Sequence, residues 1–141
     1  MMSDSMKAKL RTLITGHEDK KNFPYLDSLG NITIGIGYNL TARGLPDSWI
    51  MEQFDMDVSY FYNQLNTDFS WFKTLSEPRQ MVLIDMCFMG YKKFLEFKKM
   101  LAAIEEGDIK GAAMEMLSSE WASQVKGRAA QDAQIWLSGS L

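Results

Sequence analysis

The sequence predicts an α+β fold in which a small antiparallel β lobe near the N-terminus packs beside a larger helical lobe. Residues 23 to 38 are rich in β-branched and aromatic residues around the turn signal SLGN, which is typical of a β-hairpin. After Pro46 the apolar residues follow helical spacing almost to the end of the chain. Because two or three short strands are not stable alone, the sheet must pack on helices. A cleft between the two lobes is then the expected ligand site.

The first element is a helix over residues 3 to 17. Ser3 or Asp4 can cap it, and its apolar residues fall on one face. Pro24 forbids the helix from continuing through this region. The hairpin that follows contains Gly35 and Gly37, which weaken a plain strand and indicate close backbone approach or curvature.

The rest of the chain predicts about five helices. Pro46 marks the start of the first, and Ser76 with the following proline marks the start of the second. The second helix contains RQMVLIDMCFM, which is apolar nearly all round and should be the central buried helix. The segment KKFLEFKKMLAAIEE predicts one amphipathic helix that stops at Gly107, and Asp108 caps the next. A last helical region carries Trp121, which we expect in the core.

Size and composition indicate one domain over residues 1 to 141, with 46% hydrophobic residues to form its core. The formal charge of -3 gives no long-range attraction to nucleic acid. The single cysteine, Cys87, excludes an intrachain disulfide and is expected to be a buried apolar residue. No segment has the length of a signal peptide core or a membrane span, so we expect synthesis in the cytoplasm and no membrane insertion.

Two carboxylates and a threonine are the candidate catalytic residues. Glu18 ends the first helix, Asp27 precedes the hairpin turn, and Thr33 follows it on the second strand. Two carboxylates beside one cavity can cleave a glycosidic bond if one stays protonated as the acid and the other stays ionised. The spacing alone is also that of an ordinary helix end and hairpin, so residue types do not decide between the two interpretations.

A longer pattern does decide between them. The run E-x6-Y-x-D-x-x-G-x-x-T-I-G-x-G, which begins at Glu18, resembles the active-site signature of phage-type lysozymes, glycoside hydrolase family 24. The run S-x-W-x-x-Q-x-x-x-R-A, which begins at Ser119, is similar to the C-terminal motif of that family. The resemblance spans about residues 10 to 136, with the motifs in the right order. It implies the lysozyme-like form of the α+β fold, with an active-site cleft between the lobes.

The resemblance also implies an activity and residue roles. These enzymes hydrolyse the β-1,4 bond between N-acetylmuramic acid and N-acetylglucosamine in peptidoglycan. Glu18 would be the general acid, Asp27 would orient or activate water, and Thr33 would help to hold that water, with inversion at the sugar carbon. No metal or organic cofactor is implied. The residues implied to bind or orient the substrate are Gly37, Asn39, Phe88 and Arg128.

The same resemblance implies a partner for Arg128, an oligomeric state and a place of action. Arg128 would pair with the acid glutamate. The protein would be a monomer that acts on peptidoglycan in the periplasm during phage lysis of the host cell. It would be made in the host cytoplasm without a signal peptide, and a holin would let it reach the wall.

The chain departs from the family pattern at several positions. Asp19 follows the proposed acid where the family usually has glycine. After Phe88 the chain is one residue short, so an amide that binds sugar is missing and subsite contacts are in doubt. The acidic net charge is unusual for an enzyme that acts on an anionic wall, and we expect slower substrate capture.

Two alternatives stay open. A lytic transglycosylase on the same fold would use one acidic residue and no water, and Asp27 and Thr33 argue against it. A wall-binding protein without turnover is opposed by the intact trio of Glu18, Asp27 and Thr33, but the departures near Phe88 leave it open. For Phe88 itself, core packing is as consistent with the sequence as a place in the cleft wall.

Overall fold

The computed structural model describes residues 1 to 141 and confirms the predicted α+β class. It contains nine α-helices, one 3-10 turn and one antiparallel sheet of three strands near the N-terminus. The chain divides into two compact units, Met1–Gln53 and Phe54–Leu141. None of the helices is long and apolar enough to cross a membrane. A single catalytic domain over the whole chain stays a prediction.

The first unit begins with α1, Asp4–Glu18, one residue longer than predicted at its C-terminal end. The hydroxyl of Ser3 accepts a hydrogen bond from the backbone N–H of Met6 at 3.2 Å, so Ser3 is the N-cap. The helix ends at Asp19, whose N–H donates to the carbonyl of Thr15 at 2.9 Å. Asp19 has φ 60° and ψ 158°, a conformation that essentially only glycine adopts without strain.

The sheet consists of β1, Lys21–Leu26, β2, Ile32–Gly35, and β3, Tyr38–Asn39, paired in that order. Pro24 lies in the edge strand β1, where a missing N–H is tolerated. Thr33 of the central strand stands opposite Tyr25 on one side and Asn39 on the other. Residues directly opposite each other in antiparallel strands share a face of the sheet, so these three side chains lie together.

Two helices follow the sheet. The short helix α2, Leu40–Arg43, comes directly after β3. The long helix α3, Asp47–Asp68, starts directly after Pro46, as predicted, and runs across the boundary between the two units. The ring of Tyr38 contacts Trp49 at 5.2 Å between centroids, and its hydroxyl donates to the carbonyl of Gly44 at 2.7 Å. These contacts fix the loop that joins the sheet to α3.

The second unit is helical. After the 3-10 turn Phe72–Thr74 come α4, Glu77–Cys87, α5, Tyr91–Phe94, α6, Lys98–Glu105, α7, Ile109–Leu117, α8, Glu120–Val125, and α9, Gly127–Ser138. As predicted, Cys87 is buried and Trp121 belongs to the core. Helix α4 also contributes Val82, Leu83 and Met86 to that core. The fully buried large side chains include Leu65, Phe72, Leu83, Met86, Phe94, Met116 and Trp136.

The prediction of one continuous helix over KKFLEFKKMLAAIEE was wrong. The chain breaks after α5, where the N–H of Phe97 bonds the carbonyl of Phe94 and the N–H of Lys98 bonds that of Glu96. Phe94 and Met100 are both fully buried, yet six residues of straight helix would point them about 120° apart. The break lets both side chains reach the same core.

Candidate active site

The carboxyl of Glu18 lies directly against the backbone of Gly37. A Cβ atom built on Gly37 would stand 2.8 Å from Oε2 of Glu18 and 2.9 Å from its Cδ. Gly37 also has φ +68°, a conformation that glycine adopts without steric cost. The loop between β2 and β3 therefore passes so close to the end of α1 that a side chain at position 37 would force the Glu18 carboxyl to shift. Of the two glycines for which we predicted close approach, Gly35 has no atom near its missing Cβ.

Asp27 lies at the start of the β1–β2 turn, and its carboxylate binds the turn itself. Oδ1 accepts from the backbone N–H of Leu29 at 2.9 Å and of Asn31 at 2.8 Å, and Oδ2 accepts from Nδ2 of Asn31 at 3.3 Å. The backbone hydrogen bond from Asn31 is the main reason why the pKa of Asp27 is lowered. Burial opposes this effect, and the other N–H donors add to the lowering. Asp27 thus stays ionised in the folded protein.

Asn31 is a neighbour of the candidate residue Asp27 that sequence reasoning missed. It was interpreted only as a turn residue, although it supplies both a backbone and a side-chain donor to Asp27. An aspartate followed four residues later by asparagine across a glycine turn is the signal that could have revealed it.

Thr33 is the one buried residue of the sheet, with 4% of its surface exposed. Its hydroxyl donates to the carbonyl of Asn31 at 3.1 Å. Because a hydroxyl has one donor and two acceptor lone pairs, Thr33 can still accept a hydrogen bond from a water molecule. The structure therefore gives Thr33 a local structural contact and leaves the predicted role chemically possible.

Asn39, predicted to bind or orient substrate, is the N-cap of α2. Its Oδ1 accepts from the N–H of Ala42 at 3.0 Å. An N-cap of this kind stabilises a helix by about 1 kcal/mol. The side-chain oxygen is thus occupied, and the amide group of Asn39 is the part that remains to donate to a ligand.

Phe88, in the second unit, lies just after α4 with 42% of its surface exposed. Its ring stacks on Phe54 at 6.1 Å between centroids and meets the edge of Phe61 at 5.3 Å. The residue therefore belongs to an aromatic cluster that packs on one side and faces solvent on the other. Such a surface suits contact with the apolar face of a sugar ring as well as helix packing.

Arg128, on α9, pairs with a residue that the sequence did not indicate. Its Nε donates to Oδ2 of Asp85 at 2.9 Å, and its Nη2 donates to Oδ1 at 2.6 Å and to the backbone carbonyl of Asp85 at 3.0 Å. This is a bidentate pair, which is stronger and more directional than a single contact. The sequence signal was the lone carboxylate of α4 inside the apolar run MVLIDMCFM.

A second carboxylate joins this pair. Asp132 lies one turn after Arg128 on α9 and has 6% of its surface exposed. Burial, then a hydrogen bond with Asp85 and the charge of Asp85, raise the pKa of Asp132 to about 8, against a smaller opposing effect of Arg128. Burial also works to raise the pKa of Asp85, but hydrogen bonds from Arg128 and Asp132 and the charge of Arg128 bring it below its usual value.

The second unit also has an open groove of about 660 Å³. Its floor is apolar and includes Phe97, Met100 and Trp121, with the Phe97 and Trp121 rings edge to face at 6.3 Å. Trp121 itself is 7% exposed, so it is mainly a core residue, as predicted. The rim carries charges of both signs, from Lys93, Lys98, Lys99, Glu96, Glu115 and Glu120.

Comparison with known proteins gives two relatives of this chain. No protein-family model matches it. Two proteins of Dictyostelium discoideum, probable T4-type lysozyme 2 and probable T4-type lysozyme 1, are 27% and 26% identical over 166 aligned positions. Each alignment covers 96% of this chain and 98% of the relative. The relatives therefore contain segments that this shorter chain lacks. The similarity over almost the whole length confirms the resemblance to phage-type lysozymes.

Proposed function

We propose that this chain, a relative of the T4-type lysozymes over almost its whole length, is a peptidoglycan hydrolase of the lysozyme type. It cleaves the β-1,4 bond between N-acetylmuramic acid and N-acetylglucosamine by attack of water. The observation that supports this most is the contact between Glu18 and Gly37, because it brings the carboxyl group at the end of α1 against the loop of the sheet that follows the Asp27 turn. The same hairpin holds a second carboxylate, Asp27, in the ionised state.

Glu18 is the general acid in this proposal. It gives its proton to the leaving glycosidic oxygen as the bond between the sugars breaks. The carboxyl group must be held in one place to do so, because a small displacement of a catalytic group costs a large part of the rate. The backbone at Gly37 restricts the positions that the Glu18 carboxyl can take.

Asp27 is the base that orients the attacking water, and Thr33 accepts a hydrogen bond from that water. A carboxylate of low pKa is suited to remain ionised beside the positive charge that develops on the sugar. Inversion requires a gap of roughly 6.5–9.5 Å between the two carboxyl groups, which leaves room for water. Asp27 directly follows β1, and Tyr25 of that strand stands opposite Thr33 of β2.

The other proposed contacts follow from the resemblance. Arg128 is an orienting residue of the site, and Phe88 with its aromatic cluster packs on a sugar ring. The amide of Asn39 donates to the glycan, and the loop at Gly37 borders it. The setting is phage lysis of the host cell, in which the monomeric enzyme reaches peptidoglycan in the periplasm through a holin.

One observation favours a second candidate function. The Asp27 carboxylate already accepts three hydrogen bonds from its own turn, and a carboxylate has about four acceptor positions. Asp27 could then be a residue of the turn alone, with Glu18 as the one catalytic group. That arrangement is the one used by a lytic transglycosylase, whose product ends in a 1,6-anhydro sugar.

The decisive experiment measures loss of turbidity of Gram-negative cells stripped of their outer membrane. Wild type is expected to lyse them and Glu18→Gln to lose at least about a hundredfold in rate, the usual contribution of a general acid. Glu52→Gln, an exposed change on α3, is the control and should lyse like wild type. Reducing ends in the released sugars indicate hydrolysis, and 1,6-anhydro ends indicate the transglycosylase. Unchanged lysis by folded Glu18→Gln would overturn the assignment.

A further inference from the structure

Asp132 is a buried titratable group that the proposed reaction does not use. It lies on α9, and its Oδ2 atom is buried without a hydrogen-bond partner. An unpartnered acceptor in the interior costs about 1–3 kcal/mol, and more if it is charged. The acidic group that acts on Asp132 is Asp85 of α4, through a side-chain hydrogen bond and through its charge. Two carboxylates can form such a bond only if one of them holds a proton.

The neighbours of the two carboxyl groups determine which one holds the proton. Asp85 faces the guanidinium of Arg128, which donates to both of its oxygens, so Asp85 is the ionised member. Asp132 is the more buried residue, at 6% exposure, while the Asp85 side chain is 37% exposed. The proton therefore belongs on Asp132, whose O–H donates to Asp85.

We propose that Asp85 and Asp132 share one proton and act together as positioning residues for Arg128. We name the two residues the carboxyl pair. Asp132 donates a hydrogen bond to Asp85, and Asp85 accepts hydrogen bonds from Nε and Nη2 of Arg128. Asp132 thus positions Asp85, and Asp85 positions Arg128. With the proton present, the carboxyl pair carries one negative charge against the one positive charge of Arg128. The role of the pair in catalysis rests on the proposed function, since it acts there through Arg128.

Loss of the shared proton changes the charge balance between the carboxyl pair and Arg128. The carboxyl pair then carries two negative charges against one positive charge, and one of them is buried. A buried charge without a partner of opposite sign is unfavourable inside a protein, so Asp132 must move toward water or toward the guanidinium. In both cases the Asp85–Arg128 geometry is disturbed. The pKa of about 8 for Asp132 places this change just above neutral pH.

The charges near the carboxyl pair are few. Asp85 of α4 and Arg128 of α9 are the charged groups that act on Asp132. Arg79 of α4 donates to the carbonyl of Trp136, one turn further along α9. The other charged side chains on the helices that pack against α9 are not among the causes of the raised pKa of Asp132. They are Glu77 of α4, Lys110 and Glu115 of α7, and Glu120 of α8.

The test compares wild type with Asp132→Asn and Asp132→Ala. Asparagine copies the protonated acid, since its amide donates to Asp85 at every pH, whereas alanine removes the donor. The first readout is the NMR signal of the Arg128 Nε–H group, assigned with Arg128→Lys. Wild type and Asp132→Asn should show one slowly exchanging signal at pH 6, and Asp132→Ala should lose that protection. Between pH 7 and 9 the wild-type signal should titrate near pH 8, and that of Asp132→Asn should not.

The second readout is the rate of wall lysis. Wild type should lose about tenfold between pH 7 and 9, as a group with a pKa of about 8 loses its proton, and Asp132→Asn should lose much less. An Arg128 signal that is the same in all three proteins, or that titrates equally in Asp132→Asn, would overturn the inference. If none of the proteins lyses walls, the proposed function fails and the NMR readout still decides the carboxyl pair.

Discussion

The carboxyl group of Glu18 occupies the space that a side chain at Gly37 would need. The virtual Cβ of Gly37 lies 2.8 Å from Oε2 and 2.9 Å from Cδ of Glu18, so a methyl group at this position would force the carboxyl to shift. Glu18 is the last residue of α1, and Gly37 lies in the loop between two strands. The contact therefore joins the end of the helix to the sheet at the group that we propose as the acid.

The first prediction separates this contact from backbone strain. Gly37→Ala should lower lysis at least about tenfold, because the new methyl group must displace the Glu18 carboxyl. Gly35→Ala is the matched control, since Gly35 has φ +69° against +68° at Gly37 but no atom within 4 Å of its Cβ. Both variants should lose about 1–2 kcal/mol of stability from the left-handed conformation. Equal lysis by the two variants, at equal Tm loss, would show that the contact is unimportant.

The second prediction concerns Asp27. Asp27→Asn should fold, because its remaining side-chain oxygen can still accept from the N–H groups of Leu29 and Asn31, the two shortest bonds of the turn. Lysis should nevertheless fall by about a hundredfold or more, the usual loss when a general base is removed. Circular dichroism and the turbidity assay measure the two effects.

The control for that variant is Asn31→Ala. It removes the one side-chain donor to Asp27, at 3.3 Å, and leaves the carboxylate and both backbone donors in place. It should lyse walls within a few-fold of wild type. If Asp27→Asn retains activity and releases 1,6-anhydro sugars, the transglycosylase interpretation is correct instead.

The third prediction concerns strain beside the acid. Asp19 has φ 60° and ψ 158°, and a non-glycine residue in this region costs about 1–3 kcal/mol. Asp19→Gly should therefore raise the free energy of unfolding by about that amount and should keep lysis activity. Asp19→Ala removes the carboxylate but keeps the strain, so it should not gain stability. A gain of equal size in both variants, measured by urea unfolding, would mean that the carboxylate rather than the backbone causes the cost.

The sequence predicted the elements that depend on local signals. The caps and breakers around α1 and α3 determine where these helices begin, and Pro24 with the SLGN turn determines the hairpin. The break between α5 and α6 could not be predicted, because it depends on which side chains reach a core built from distant segments. Periodicity within the segment favoured one continuous helix.

The candidate site likewise contains residues that the sequence indicated and residues that only the structure reveals. The resemblance indicated Gly37 by its place in a motif, and the structure supplies the physical reason, which is the Glu18 carboxyl. Asp85 was missed because its partner lies 43 residues away in the chain. Asp132 was missed because an acid four residues after Arg128 is typical of a surface ion pair on a helix, and only the packing of α9 shows that it is buried.

The last prediction follows from the raised pKa of Asp132. Its pKa is about 8 in the folded protein, against an ordinary value of 3.8. Below pH 3.8 both states hold the proton, and the folded state has its full advantage. From about pH 4 to pH 8 the folded state keeps a proton that the unfolded state has released, so stability falls as pH rises, and above pH 8 it levels off.

Asp132→Asn has no such proton and should not show that fall. The Tm of the variant minus that of wild type should therefore increase steadily from pH 4 to pH 8 and then stay constant. The corresponding free-energy difference grows by at most about 1.4 kcal/mol for each pH unit. The titrating groups outside the carboxyl pair are common to both proteins and cancel in the difference. A difference that does not change between pH 4 and pH 8, measured by thermal unfolding, would mean that Asp132 is ionised in the folded protein and that the carboxyl pair holds no proton.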